Sequence, residues 1–314
     1  MKKWTAVFFL ALLGFLAQAQ QKKLVVAQDG SGDYTTIQTA LDAIPAFPEE
    51  RLEIHIKNGV YKEKLVISSW KTRISFIGED RDKTIIVWDD YSGKGAINTF
   101  TSYTVLVQGN EFRAENITFE NSAGPVGQAV ALHVEADRCV FKNCRILGNQ
   151  DTIYAGVDNS RQYYVNCYIE GTTDFIFGPA TAVFENCTIH CKKNSYITAA
   201  STPQGQPYGF VFLNCKLTAS PEATKVYLGR PWRPYAQTVF LNTEMGAFIR
   251  PEGWHNWKKP EAEKTTFYAE YKSKGPGAAP DKREKWSRQL SRKEAKRFKP
   301  EIVLAGQDKW NPTK

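Results

Sequence analysis

One six-residue phrase occurs five times in this chain at related intervals, and that recurrence limits the fold more than any other feature. It reads Phe141-Lys142-Asn143-Cys144-Arg145-Ile146, Tyr164-Val165-Asn166-Cys167-Tyr168-Ile169, Phe184-Glu185-Asn186-Cys187-Thr188-Ile189 and Phe212-Leu213-Asn214-Cys215-Lys216-Leu217. The fifth copy, Phe240-Leu241-Asn242-Thr243-Glu244-Met245, puts Thr243 in place of the cysteine. Between the asparagines the steps are 23 (166 − 143), 20 (186 − 166), 28 (214 − 186) and 28 (242 − 214) residues. Self-similarity at roughly 20 to 30 residues marks a solenoid, whose repeats bury their apolar faces only by stacking on one another. The flanks are β-branched and aromatic, alternate with polar residues and lack helical periodicity. The expected fold is therefore all-β: a right-handed parallel β-helix with short capping helices at its ends. Asparagine at a fixed place in each coil suits a left-handed bend, and the cysteine beside it suits a small buried hydrophobe.

Gln128, Asp151 and Asp174 also stand one constant step apart, 23 residues each (151 − 128 and 174 − 151). Coils stack about 4.8 Å apart, so the three are expected on neighbouring rungs of one face. A solvated polar stripe would have the same spacing, and chemistry has to separate the two readings.

Residues 1–19 form a segment of their own: Lys2 and Lys3, an apolar run of 11 residues from Ala6 to Leu16, then Ala17-Gln18-Ala19. This is the pattern of a secretory signal peptide cut after Ala19, with an apolar run too short to span a bilayer. A secreted or periplasmic protein without a membrane span is expected, with residues 20–314 as a single β-helix domain and the monomer as its state. Without the two leader lysines the formal net charge falls from +8 to +6, which suits an acidic polymer as partner. Nine of the basic residues fall between Lys282 and Lys299, expected as a solvated helix face. No nucleic-acid reading motif accompanies them.

Thr35-Thr36-Ile37-Gln38 reads as a capping box opening a helix that Pro45 ends, and Ser291-Arg292-Lys293-Glu294 opens another that Pro300 stops. Both are expected to cover the open ends of the coil stack, where edge strands are a liability. Four of the six cysteines belong to the repeated phrase, which favours packing thiols over disulfides. No Cys-x-x-Cys pair exists and the four histidines are dispersed, arguing against a zinc site. Asp29-Gly30-Ser31-Gly32-Asp33 lacks the terminal glutamate of a calcium loop and reads as a turn.

The stretches around the column carry the chemistry: Gln128-Ala129-Val130-Ala131-Leu132, Gln150-Asp151-Thr152-Ile153-Tyr154, Gly171-Thr172-Thr173-Asp174-Phe175-Ile176-Phe177-Gly178 and Leu228-Gly229-Arg230-Pro231-Trp232. Two carboxylates on adjacent rungs do not readily both ionise; a cation beside one keeps it charged while the other holds its proton. With Arg230 as that cation, Asp174 is the nucleophile and Asp151 the general acid. The Gln128 and Gln150 amides are neutral donors suited to an oxyanion on an acyl carbon, which favours ester over glycoside cleavage.

These four motifs in this order, with Gly59-Val60-Tyr61-Lys62-Glu63 near the start, resemble the signature of the pectin methylesterases, the pectinesterases of carbohydrate esterase family 8. The resemblance runs from about Leu24 to Trp310. It implies hydrolysis of the C6 methyl ester of galacturonate units in pectin, without metal or organic cofactor. It makes Asp174 the nucleophile, Asp151 the acid and later the base, Gln128 and Gln150 the oxyanion donors, and Arg230 the residue that holds Asp174. It makes Trp232 a sugar platform, matches Thr99 to a substrate-contacting threonine, and sets Tyr154 and Phe177 along the cleft. Thr198-Ala199-Ala200-Ser201 and Ala155-Gly156-Val157-Asp158-Asn159 depart from the family pattern and bear on subsite preference. The rival readings are a lyase or polygalacturonase on the same scaffold, a β-helix esterase for another ester, and a silent wall-binding protein.

Overall fold

The structure, a computed structural model, describes residues 23–313; the expected signal peptide lies outside them. Short strands pair in parallel with their equivalents one coil before and one coil after, building sheets of 11, 7 and 8 strands. The longest sheet runs from Lys23–Val26 to Arg288–Gln289, the seven-stranded one from Leu65–Ile67 to Tyr227–Gly229, and the eight-stranded one from Gly59–Lys62 to Glu244–Met245. This is the parallel β-helix read from the repeats.

The repeated phrase turns the corner from the longest sheet to the eight-stranded one. Its asparagines all adopt left-handed backbone, with φ of 50, 55, 54, 53 and 51° at Asn143, Asn166, Asn186, Asn214 and Asn242. Asn116, at φ 58°, opens this row one coil earlier, where Ile117 in place of the cysteine hides the match. Asn143 Nδ2 donates to Asn116 Oδ1 at 2.7 Å, and Asn242 Nδ2 to Asn214 Oδ1 at 3.2 Å. Inside the corner, Phe141, Tyr164, Phe184, Phe212 and Phe240 stack one per coil, with centroids 4.8, 4.6, 4.6 and 4.4 Å apart and planes 10° apart. The ring spacing follows the strand spacing, so the aromatics form one continuous column. All six cysteines are free and buried. Cys167 Sγ donates to Phe141 O and Cys215 Sγ to Phe184 O, both at 3.3 Å, which is packing-thiol behaviour. Phe184→Ala, in mid-column, is expected to cost about 3–5 kcal/mol, read as a lowered urea midpoint at unchanged slope.

The first helix, Ile37–Ala43, closes the near end of the stack with Ile37, Ala40 and Leu41 buried. Its N-cap is Thr36, which accepts from Thr39 N at 3.3 Å, not Thr35. Gln38 does not complete a box; its amide goes to Asp42. Glu63 takes that place, its two carboxylate oxygens accepting from Ile37 N and Gln38 N at 2.9 Å each. An ionised group from a neighbouring coil satisfies two open donors at the positive helix end, which a neutral glutamine cannot match.

At the other end, Ser291 and Glu294 do form the expected reciprocal cap (Ser291 N to Glu294 Oε2, 2.8 Å; Glu294 N to Ser291 Oγ, 3.3 Å). Pro300 ends that turn and opens a further helix, Pro300–Val303. These helices lie along the flank of the stack, not over its open end. Val140, Tyr163, Val183, Val211 and Val239 form an apolar stripe on the outer face of the longest sheet, and Ala295, Phe298, Val303 and Leu304 cover it. Arg161 ties the segment down between Asp137 (2.6 Å) and Asp308 (2.5 Å). The last coils are closed by Trp254, Tyr268 and Trp286. Arg283 is not part of a solvated helix face: it is 8% exposed and bonds Glu270 Oε1 at 2.7 Å and the carbonyls of Arg250, Pro251 and Gly277. The other basic residues of that run are exposed.

Candidate active site

The site forms along one edge of the seven-stranded sheet. Ile153 and Ile176 point into the core while Tyr154 and Phe177, next in each strand, face outward. Ile153 pairs with Ile176 and Tyr154 with Phe177, an offset of 23 that sets Asp151 level with Asp174. Asp151 N donates to Thr173 O at 3.1 Å in the same register. Both aspartates are left-handed, φ 65° and 49°, a conformation costing roughly 1–2 kcal/mol that aspartate tolerates better than most.

Gln128 does not share that register. It pairs with Gln150, because Ala131 N and Leu132 N both donate to Thr152 O at 2.9 and 3.1 Å. Two residues opposite one make a bulge. The equal step in sequence is therefore not an equal step in space, yet the bulge sets the two glutamines side by side. Both are half-buried, and neither amide has a protein hydrogen-bond partner among the described residues.

Arg230 follows the strand Tyr227–Gly229 on a later coil. A Cβ at Gly229 would lie 2.1 Å from Thr198 Oγ1, so glycine allows the close approach that delivers the arginine. Its Nε donates to Asp174 Oδ1 at 2.9 Å and its Nη2 to Asp174 Oδ2 at 2.6 Å, the paired fork that best recognises a carboxylate. The guanidinium lies between two rings, Cζ standing 3.9 Å from the Tyr196 centroid and 3.6 Å from that of Trp257.

Asp151 and Asp174 are 7% and 6% exposed. Burial, then the charge of Asp174, pushes the Asp151 carboxyl up to about 8, against the pull of Arg230. Burial also raises Asp174, but the hydrogen bonds and charge of Arg230 oppose it. Asp151 therefore keeps its proton at neutral pH while Asp174 is the carboxylate of the pair.

The cleft above them has a volume of about 340 Å³, the size of a small-ligand site. Thr99, Gln128, Gln150, Asp151, Asp174 and Arg230 line it, together with Phe177 and Trp232. Tyr154 stands behind this wall, its ring 5.2 Å from Phe100 and 4.9 Å from Phe177, and Phe177 is 5.8 Å from Trp232. Eight of the nine expected site residues thus line the cleft, and Tyr154, expected along it, instead backs its aromatic wall. Thr99 begins a 3-10 turn, Thr99–Thr101, capped by Asn98 and tied by Lys64 Nζ to Thr101 O at 2.7 Å. Phe100, Tyr196 and Trp257 were not foreseen. Phe100 adjoins Thr99, but Trp257 lies in a loop without repeat or motif. Ala199 lines the cleft as expected of the segment Thr198-Ala199-Ala200-Ser201.

Residues 23–307 match the family model described as Pectinesterase. Pectinesterase 31 of Arabidopsis thaliana is 43% identical over 291 residues, 89% of this chain and 91% of that protein. Longer plant relatives, named pectinesterase/pectinesterase inhibitor, are spanned over about half their length. Among solved structures, pectin methylesterase from carrot superposes with a TM-score of 0.86 at 38% identity, covering 91% of this chain and 93% of the other. A pectin methylesterase mutant in complex with a hexasaccharide superposes with a TM-score of 0.81 at 31% identity, covering 94% and 100%.

Proposed function

This chain belongs to the pectinesterase family, and we propose that it hydrolyses the methyl esters of pectin with Asp174 as nucleophile and Asp151 as proton carrier. The observation that carries this reading is the unequal pair: Asp174 forked by Arg230 at 2.6 and 2.9 Å, beside Asp151 with its carboxyl pushed up to about 8. A carboxylate and a carboxylic acid facing one cleft supply the two groups that ester cleavage through a covalent intermediate needs.

Asp174 attacks the C6 carbonyl of a methyl-esterified galacturonate. Negative charge develops on the carbonyl oxygen, where the Gln128 and Gln150 amides donate. As the tetrahedral species collapses, Asp151 gives its proton to the departing methoxy oxygen, methanol leaves, and Asp174 is joined to the sugar as an anhydride. Asp151, now ionised, takes a proton from water as the water adds to the anhydride; the products are the free uronate and regenerated Asp174. Trp232, Phe177 and Thr99 seat the sugar, with Tyr154 backing the aromatic wall. The enzyme works as an exported monomer after removal of residues 1–19; a mature chain not beginning at Gln20 would sink that part.

Incubation with highly methylated pectin tests the reaction: methanol appears without new reducing ends, and new reducing ends without methanol would select a chain-cutting enzyme instead. The same assay across pH has two limbs. Activity requires Asp151 protonated, so kcat/KM falls as pH rises through about 8. It requires Asp174 ionised, so it also falls in acid as Asp174 takes up a proton. A flat profile from neutral pH to beyond pH 9 would remove Asp151 from the acid role.

A further inference from the structure

The loop that delivers Trp257 to the site is strained and is held by an imidazole. Trp257 and Lys258 are consecutive left-handed residues, both at φ 57°, a conformation that bulky side chains avoid. Two side chains just upstream hold the turn. His255 Nδ1 accepts from Trp257 N at 2.9 Å, and Asn256 Oδ1 accepts from Lys258 N at 2.9 Å. Asn256 is fixed in turn by Glu263 at 2.7 Å, and His255 N donates to Gly229 O at 3.1 Å, next to Arg230. The imidazole is wedged against two tyrosines, its centroid 5.4 Å from Tyr196 and 5.3 Å from Tyr227. The turn it closes lays the Trp257 indole on one face of the Arg230 guanidinium, with Tyr196 on the other.

We propose that His255 is a positioning residue: its unprotonated Nδ1 holds Trp257 against Arg230, which fixes the fork on Asp174, and protonation of the ring releases that hold. The proposal rests on Asp174 being the nucleophile that Arg230 orients.

A ring that accepts at Nδ1 is neutral and carries its proton on Nε2. Arg230, Lys258 and Arg250 are the cations facing it, Tyr196 and Tyr227 pack against the ring, Glu284 stands near Tyr227, and Glu263 holds the neighbouring Asn256. Asp174 is forked by Arg230, and Glu252 lies 3.5 Å from Arg250. Burial, then Arg230, Lys258 and Arg250, holds His255 below its ordinary value of 6.5. The acceptor is thus intact at neutral pH and is lost as pH falls through that lowered value, when a further cation joins Arg230, Lys258 and Arg250.

Long-range proton–nitrogen NMR on the mature protein reads this directly, since the chain has four histidines and His255→Asn assigns the signal. The expected spectrum has the Nε2–H tautomer at neutral pH and a midpoint below that of an ordinary histidine. His255→Leu removes the acceptor and is expected to lower kcat/KM about tenfold, the scale of one lost hydrogen bond. His255→Asn keeps an acceptor two residues before the Trp257 N–H, an Asx turn that does not titrate. It is expected to recover activity to within about threefold of the natural enzyme and to make the acid limb shallower. An Nδ1–H tautomer, equal losses in the two variants, or an unchanged acid limb in His255→Asn would overturn the proposal. If the Leu variant fails to fold, the tautomer and the Asn variant's acid limb still decide. The tautomer is read without substrate, so its failure is distinct from that of the nucleophile assignment, which shows only in Asp174 variants.

Discussion

Asp174→Ala is expected to lower kcat on methyl-esterified pectin by at least about 10³-fold, the order lost with a covalent nucleophile. No neighbouring group can take over. Asp151 is a weaker nucleophile while it carries its proton, and among the described residues no cation forks it as Arg230 forks Asp174 at 2.6 and 2.9 Å. The alanine also leaves Arg230 without its carboxylate at a site where Asp174 is 6% exposed, so part of any loss is structural. Asp174→Asn separates the effects: it keeps oxygen and nitrogen in place, should stay folded by circular dichroism, and should lose a comparable factor. Turnover within about tenfold of the natural enzyme in both variants would contradict the role.

The second large effect is at Asp151. Asp151→Asn cannot deliver a proton to methanol or take one from water, and kcat is expected to fall by about 10²- to 10⁴-fold. The same substitution should raise stability, with a definite pH dependence. The folded carboxyl titrates at about 8, well above the unfolded value of roughly 3.9. Between those values the unfolded chain has released a proton that the folded chain still binds, so stability falls as pH rises through the window. Asparagine removes that fall. Thermal melts should show the variant clearly more stable at pH 8 and nearly level with the natural protein at about pH 4; equal melting at both pH values would mean the carboxyl is not held up.

Features governed by the repeat were legible in sequence: the coil, the left-handed asparagine corner, the unbridged cysteines, and the register of Asp151 with Asp174. Features that depend on one extra residue or on tertiary proximity were not. The bulge at Ala131 and Leu132 shifts Gln128 onto Gln150, although the sequence step to Asp151 matches the next one. Glu63 caps the first helix from another coil, which helix-capping rules applied along one segment do not find. The flank position of the last helices did have a signal. Val140-Phe141, Val183-Phe184, Val211-Phe212 and Val239-Phe240 place two apolar residues in succession, hence one on each face of the sheet, and the outer one needs a cover. Tyr196, His255 and Trp257 left no such trace, because the last two sit in a loop shaped by its own side-chain acceptors.

A crystal structure of Asp174→Asn with a methyl-esterified oligogalacturonide tests the pairing of the two carboxyl positions most directly. The account requires the ester carbonyl carbon about 3–3.5 Å from the side chain at position 174, the carbonyl oxygen facing Gln128 and Gln150, and the methoxy oxygen within hydrogen-bond reach of Asp151. A glycosidic oxygen at Asp151, with the ester group elsewhere in the cleft, would contradict it.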